Sequence, residues 1–127
     1  MQLDQLSGKV IKCAYNVHNT MGVGFLEKVY ANALFIELVE AGLSVKRQYP
    51  FTIKYHGQIV GEYFADLVVE DQLIIELKAV QELIKEHEVQ LVNYLMATGI
   101  DQGLLINFGY SMEIKRKFRV YIETHDA

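Results

Sequence analysis

The stretch Gly61-Glu62-Tyr63-Phe64-Ala65-Asp66-Leu67-Val68-Val69-Glu70-Asp71-Gln72-Leu73-Ile74-Ile75-Glu76-Leu77-Lys78 places an aspartate, a glutamate and a lysine inside otherwise apolar, strand-like sequence. Desolvating a charged group is expensive, so such groups persist in these surroundings when they are paired or bind a metal. Residues 60–69 and 73–77 flank the polar Glu70-Asp71-Gln72 and read as a hairpin. Residues two apart share a face of a strand, so Glu76 and Lys78 project together while Leu77 points the other way. With a three-residue connection, Val69 pairs with Leu73 and Asp66 falls opposite Glu76, their Cβ atoms roughly 4.5–5.5 Å apart. Two carboxylates at that separation repel each other unless a cation lies between them. Oxygen donors favour a hard ion, magnesium or manganese, and the neighbouring ammonium can polarise a water held there.

These residues resemble the signature of the PD-(D/E)xK nuclease superfamily, with Asp66 as first acid and Glu76-Leu77-Lys78 as the ExK element. Two flanking elements occur in the order the resemblance requires. Upstream, Gly24-Phe25-Leu26-Glu27-Lys28-Val29-Tyr30 matches the pattern that names the GxxExxY family, a small single-domain branch of that superfamily. Downstream, Gln90-Leu91-Val92-Asn93-Tyr94 is similar to the QxxxY element of exonuclease-like members. Phe64-Ala65 precedes Asp66 where the superfamily name implies proline, a position that carries no ligand. The resemblance implies a restriction-endonuclease-like core. It also implies a magnesium or manganese site held by Asp66, Glu76, the Leu77 carbonyl and Glu27, and catalytic support from Lys78, Gln90 and Tyr94.

Composition agrees with a compact enzyme domain. The 127 residues suit one domain, residues 1–127, with one core. Half the chain is hydrophobic and 22% is charged, which is globular rather than disordered composition. No apolar run approaches the ~20 residues of a membrane span, and residues 1–5 lack the basic and apolar regions of a signal peptide, so a cytoplasmic location is expected. The single cysteine, Cys13, excludes an intramolecular disulfide and a multi-cysteine zinc site, and reads as a small buried hydrophobe.

A net charge of −4 argues against binding nucleic acid by bulk electrostatics, but association depends on the local field. Strand alternation puts Lys115, Lys117 and Arg119 on one face, either as a phosphate-binding strip or as a solvated edge that deters aggregation. Lys46, Arg47 and Lys54 form a second, weaker candidate.

Helical spacing of Leu6, Val10, Cys13, Ala14 and Val17 predicts a helix over residues 5–19, broken by Gly22-Val23-Gly24. A second helix is predicted over 25–41, ending at Gly42. Strands follow over 45–55, 58–69 and 73–78, the first two joined by a tight turn at His56-Gly57. A third helix is predicted over 82–98, then strands over 103–108 and 112–123. The order ααβββαββ is an α+β arrangement: a central mixed sheet with flanking helices, as in the nuclease superfamily.

Glu27 has two readings: an ordinary first-turn glutamate near a helix N-terminus, or a third carboxylate reaching the metal. Tyr30, one turn on, reads as a packed residue whose hydroxyl meets the site. Gln90 and Tyr94 share a helical face and either support the site or form a polar edge and a core ring. His18, His56 and His125 fit no zinc spacing. The function these readings support is metal-dependent hydrolysis of nucleic-acid phosphodiesters, most of all DNA. The alternative is a non-catalytic module that keeps the fold and binds nucleic acid or a protein. So small a chain leaves little surface for substrate discrimination, which a homodimer or partner subunit would supply.

Overall fold

The β-branched and aromatic residues between Val45 and Lys78 alternate with period two, and turn-forming residues interrupt them twice. The computed structural model, which describes residues 2–119, forms strands there: β1 (Val45–Tyr55), β2 (Gln58–Val69) and β3 (Leu73–Lys78). His56 and Gly57 join β1 to β2, with φ of 50° and 77°. This is the left-handed pair that a two-residue hairpin turn requires. The second connection has the expected three residues, with Glu70 and Asp71 both at φ 55° and Val69 paired with Leu73.

Helices α1 (Leu3–Met21) and α2 (Glu27–Glu40) precede the strands, and α3 (Lys85–Thr98), β4 (Gln102–Phe108) and β5 (Met112–Phe118) follow them. The five strands form one mixed sheet in the order β1-β2-β3-β4-β5. Only β3 and β4 run parallel, and α3 makes the crossover between them. Both are buried along their length, because helices cover the two faces of the sheet. One core lies under α1 and α2 and includes Leu6, Val10, Tyr30, Leu34, Leu77 and Phe108. The other lies under α3 and gathers Val68, Ile74, Leu91, Tyr94, Leu95 and Leu105. Among the described residues no helix is long and apolar enough to cross a membrane.

Several boundaries differ from expectation, and α1 extends two residues beyond the expected 5–19 at each end. Helix α2 starts at Glu27 rather than residue 25, because the Phe25 N–H is held at 3.3 Å by the Tyr30 hydroxyl and Leu26 stays extended. Helix α3 starts at Lys85 rather than residue 82. The backbone before it is taken by other partners: Val80 N–H donates to Asn107 Oδ1 and Leu83 N–H to Glu113 Oε1. The last strand ends at Phe118, and residues 120–123 of the expected strand lie outside the described residues.

The β1–β2 ribbon kinks at the site. Ala65 and Leu67 are two apart and share a face in a regular strand, yet Leu67 packs under α1 and α2 while Ala65 packs under α3. Across the ribbon Gln48 takes φ +49°, a strained value for a residue with a side chain. Asp66 stands between the two halves, at the corner.

Candidate active site

Sequence spacing places Asp66 opposite Glu76, but the β2–β3 ladder stops one pair earlier, at Leu67 and Ile75. Beyond that point the strands splay and side chains take over from the backbone. Asp66 N–H donates to Glu76 Oε2 at 2.8 Å, and Leu77 N–H donates to Asp66 Oδ2 at 2.9 Å. Each carboxylate is thus oriented through one oxygen. Among the described residues neither Asp66 Oδ1 nor Glu76 Oε1 has a hydrogen-bond partner, so these two oxygens remain as donors for a cation.

Burial makes this pair costly. Glu76 is only 7% exposed, and its carboxyl is pushed up to about 8, first by desolvation and then by the charge on Asp66. The Asp66 N–H and Lys78 oppose that shift, and Glu27 adds to it. Half-buried Asp66 is raised as well, chiefly by desolvation, with the Leu77 N–H and Lys78 pulling it down. Glu27 is raised by desolvation and by Asp66, again against Lys78. Glu76 therefore tends to retain its proton at neutral pH, and burial shifts Asp66 in the same direction. A hard dication would replace that proton and relieve the repulsion, which is the fit expected of a metal site. The side-chain donors at hand are the two carboxylates, held by the Asp66 and Leu77 N–H groups. Among the described residues, no cluster of three His, Cys, Asp or Glu side chains is arranged to hold an ion.

The sheet and α2 bring Asp66, Glu76, Lys78 and Glu27 into one electrostatic neighbourhood. Lys78, half-buried at the end of β3, faces the α3 side with Glu76. Glu27 opens α2 and its side chain stays exposed. Tyr30 does not meet the acids, contrary to expectation: its hydroxyl donates to Gly22 O at 2.6 Å and its ring stacks on Phe108 at 4.7 Å. It pins the loop that delivers Glu27.

Tyr94 is buried on α3, where desolvation and then Glu76, Tyr63 and Asp66 push its hydroxyl up to about 12. Gln90 and Tyr94 both line a cleft of about 1210 Å³ between α3 and the β1–β2 ribbon. The cleft also takes in Lys54, Tyr63, Lys85 and Asn93.

The β5 cations lie at the opposite edge of the sheet from β1, two strands from β3. Lys115 is exposed, but Lys117 pairs with Glu88 at 3.0 Å and Arg119 with Asp101 at 2.7 Å. In the second basic group, Lys46 pairs with Asp71 at 2.8 Å and Arg47 lies over the Phe35 ring at 4.1 Å, while Lys54 lines the cleft.

Sequence reasoning missed two residues here. Asn107 is fully buried and clamps the connection after Lys78, accepting from Val80 N–H and donating to Val80 O, each at 2.9 Å. The signal was a lone amide inside the apolar strand at 103–108. Tyr63, on the cleft wall, was passed over as one aromatic among many.

The crystal structure of SSO0001 is similar to this chain with TM-score 0.62 and 16% identity, over 77% of this chain and 52% of that one. An alkaline exonuclease from Laribacter hongkongensis (LHK-Exo) is similar with TM-score 0.55 and 16% identity, over 78% of this chain and 58% of that one. The chain spans little more than half the length of these structures, and the likeness is one of fold. No curated protein matches it. The model of the PD-(D/E)XK nuclease superfamily matches residues 4–119. Nearly the whole described chain, including the crossed carboxylates and the adjacent lysine, falls within that match, and the protein belongs to the PD-(D/E)XK nuclease superfamily.

Proposed function

We propose that this nuclease hydrolyses DNA phosphodiesters with a divalent cation, magnesium or manganese, and that it is of the GxxExxY type. The observation that carries this reading is the acidic pair at the ribbon kink, desolvated and oriented through one oxygen each, with Lys78 on the same face. Asp66 and Glu76 would hold the ion, with the Leu77 carbonyl and Glu27 completing the set directly or through water. Bound there, a hard dication supplies a water of lowered pKa and neutralises charge at the phosphate.

The protein's own groups do the rest. Lys78 orients the attacking water and balances the charge that develops on the pentacovalent phosphorus. The Leu77 N–H holds Asp66 against rotation, so its remaining oxygen is aimed before substrate arrives. Gln90 and Tyr94 line the wall along which the substrate backbone runs. Clustered negative charge facing a phosphate repels it, which counts against a non-catalytic nucleic-acid module.

The test is incubation with linear, circular and single-stranded DNA in magnesium or manganese, comparing wild type with Asp66→Asn and Glu76→Gln. Metal-dependent cleavage that both variants abolish is the expected result. A variant that cleaves at the normal rate removes its residue from the mechanism.

A further inference from the structure

The cleft between α3 and the β1–β2 ribbon is built around a ring that the acidic site does not use. Tyr63 is 43% exposed and lies in the cleft wall, 6.0 Å from the Phe51 ring in a stacked arrangement and 5.7 Å from Tyr94. Its seat depends on Gly61: a Cβ at that position would lie 2.8 Å from Tyr63 Cε2. Only a glycine lets the ring lie back over the strand. The rings run from Tyr63 to Tyr94, which packs in one cluster with Ala65, the neighbour of Asp66, so the Tyr94 end of the cleft lies on the side of the acidic pair.

Charge and shape select the occupant. Lys54 on β1 and Lys85 on α3 place a cation on each wall, against one carboxylate, Glu86. Between them lie Tyr63, Tyr94 and apolar side chains, with Gln90 and Asn93 as polar contacts. This is the makeup of a site that tracks one phosphate backbone while bases stack on rings. A duplex keeps its base faces covered, and its major groove takes a convex helix or ribbon rather than filling a concave slot. We infer that the cleft binds an unpaired DNA strand, with a base against the Tyr63 ring and phosphates at Lys54 and Lys85. The inference rests on the nuclease reading of the acidic pair and gives it a substrate class: single-stranded DNA, or the frayed end of a duplex.

The experiment separates the two claims by measuring binding without metal and cleavage with it. Fluorescence anisotropy with a labelled single-stranded 12-mer and the matching blunt duplex, in chelator, should show preference for the single strand. Tyr63→Ala should weaken single-strand binding about tenfold or more while Tyr63→Phe retains it, the scale of one lost stacked base. Gly61→Ala should weaken it too by displacing the ring. Lys54→Gln, which leaves the rings untouched, should lower the salt slope by about one. Equal affinity for single strand and duplex, or binding that neither Tyr63→Ala nor Lys54→Gln changes, overturns the inference. Full-rate duplex cleavage by Tyr63→Ala overturns it as well while leaving the hydrolysis standing. Tyr63-dependent single-strand binding without cleavage of any DNA in metal supports the cleft and sinks the hydrolysis.

Discussion

The backbone N–H of Asp66 donates to the side chain of Glu76 at the place where the two strands stop pairing. The ladder is replaced by a carboxylate, so a buried charge is held in register by the same backbone that delivers its partner. A glutamine keeps the acceptor oxygen and sheds the charge. We predict that Glu76→Gln folds and, without metal, depends less on pH than wild type. Glu76 is raised from 4.5 to about 8, so the unfolded chain loses this proton first. The stabilisation is fully present below about pH 4.5 and is lost as pH rises to about 8. Asp66 and Glu27 shift in the same direction. In chelator, the wild-type unfolding free energy should fall relative to Glu76→Gln between pH 5.5 and 8, by an amount on the order of a few kcal/mol. Parallel curves for the two proteins would dismiss the buried charge.

Divalent cation should reverse that loss. At pH 7.5 a dication that binds only the folded state adds RT ln(1 + [L]/Kd), about 2.7 kcal/mol at a hundredfold excess over Kd. That corresponds to a few degrees or more in melting temperature for a chain of this size. Manganese should act at lower concentration than magnesium, being the more easily dehydrated ion. Glu76→Gln should lose most of the shift, and a shift of equal size in both proteins would place the ion elsewhere.

Lys78 is half-buried at a strand end, where truncation to alanine leaves the core intact. Lys78→Ala should keep the far-ultraviolet circular dichroism of wild type and lose about 10²-fold in turnover, the scale of a missing electrostatic group in the transition state. Undiminished turnover would give Lys78 a purely structural role.

Asn107 makes three hydrogen bonds from a fully buried position: two to Val80 and one to Glu113 at 3.0 Å. Asn107→Ala leaves the Val80 N–H and carbonyl without those partners. It should cost about 2 kcal/mol in chemical denaturation. The connection after Lys78 should loosen with it, and amide exchange across residues 79–84 should accelerate. Unchanged exchange there would show that Asn107 does not anchor the loop.

The basic strip on β5 is already partly neutralised, because Lys117 and Arg119 are ion-paired on the protein itself. Replacing Lys115, Lys117 and Arg119 together with glutamine should therefore lower the salt slope of DNA binding by about one, not by the roughly 0.9 per residue that three phosphate contacts imply. A drop near three would restore the strip as a main contact surface.

How much was legible in the sequence follows from what is local. The bounds of β1, β2 and β3, the His56-Gly57 turn and the three-residue connection after Val69 were readable, because side-chain alternation and left-handed turn residues act within a few positions. The same alternation put Glu76 and Lys78 on one face and brought Asp66 toward them. The start of α3 was not readable, because its preceding backbone is captured by Asn107 and Glu113, some 27 to 30 positions on. Nor was the role of Tyr30, whose hydroxyl is spent on Gly22.

The chain alone determined which chemistry was present: two carboxylates and an ammonium in apolar strands have few other uses, since burial penalises each charge wherever the chain places it. Tertiary structure decided which of those charges remain available. Lys117 meets Glu88 across 29 positions, whereas Lys54 and Lys85 come to opposite walls of one cleft, outcomes set by how α3 docks on the sheet. The kink at Asp66 and Gln48, which turns Ala65 and Leu67 to opposite cores, likewise exists only once both cores compete for the same strand. Periodicity describes a strand against one face, and no local pattern encodes a strand that must serve two.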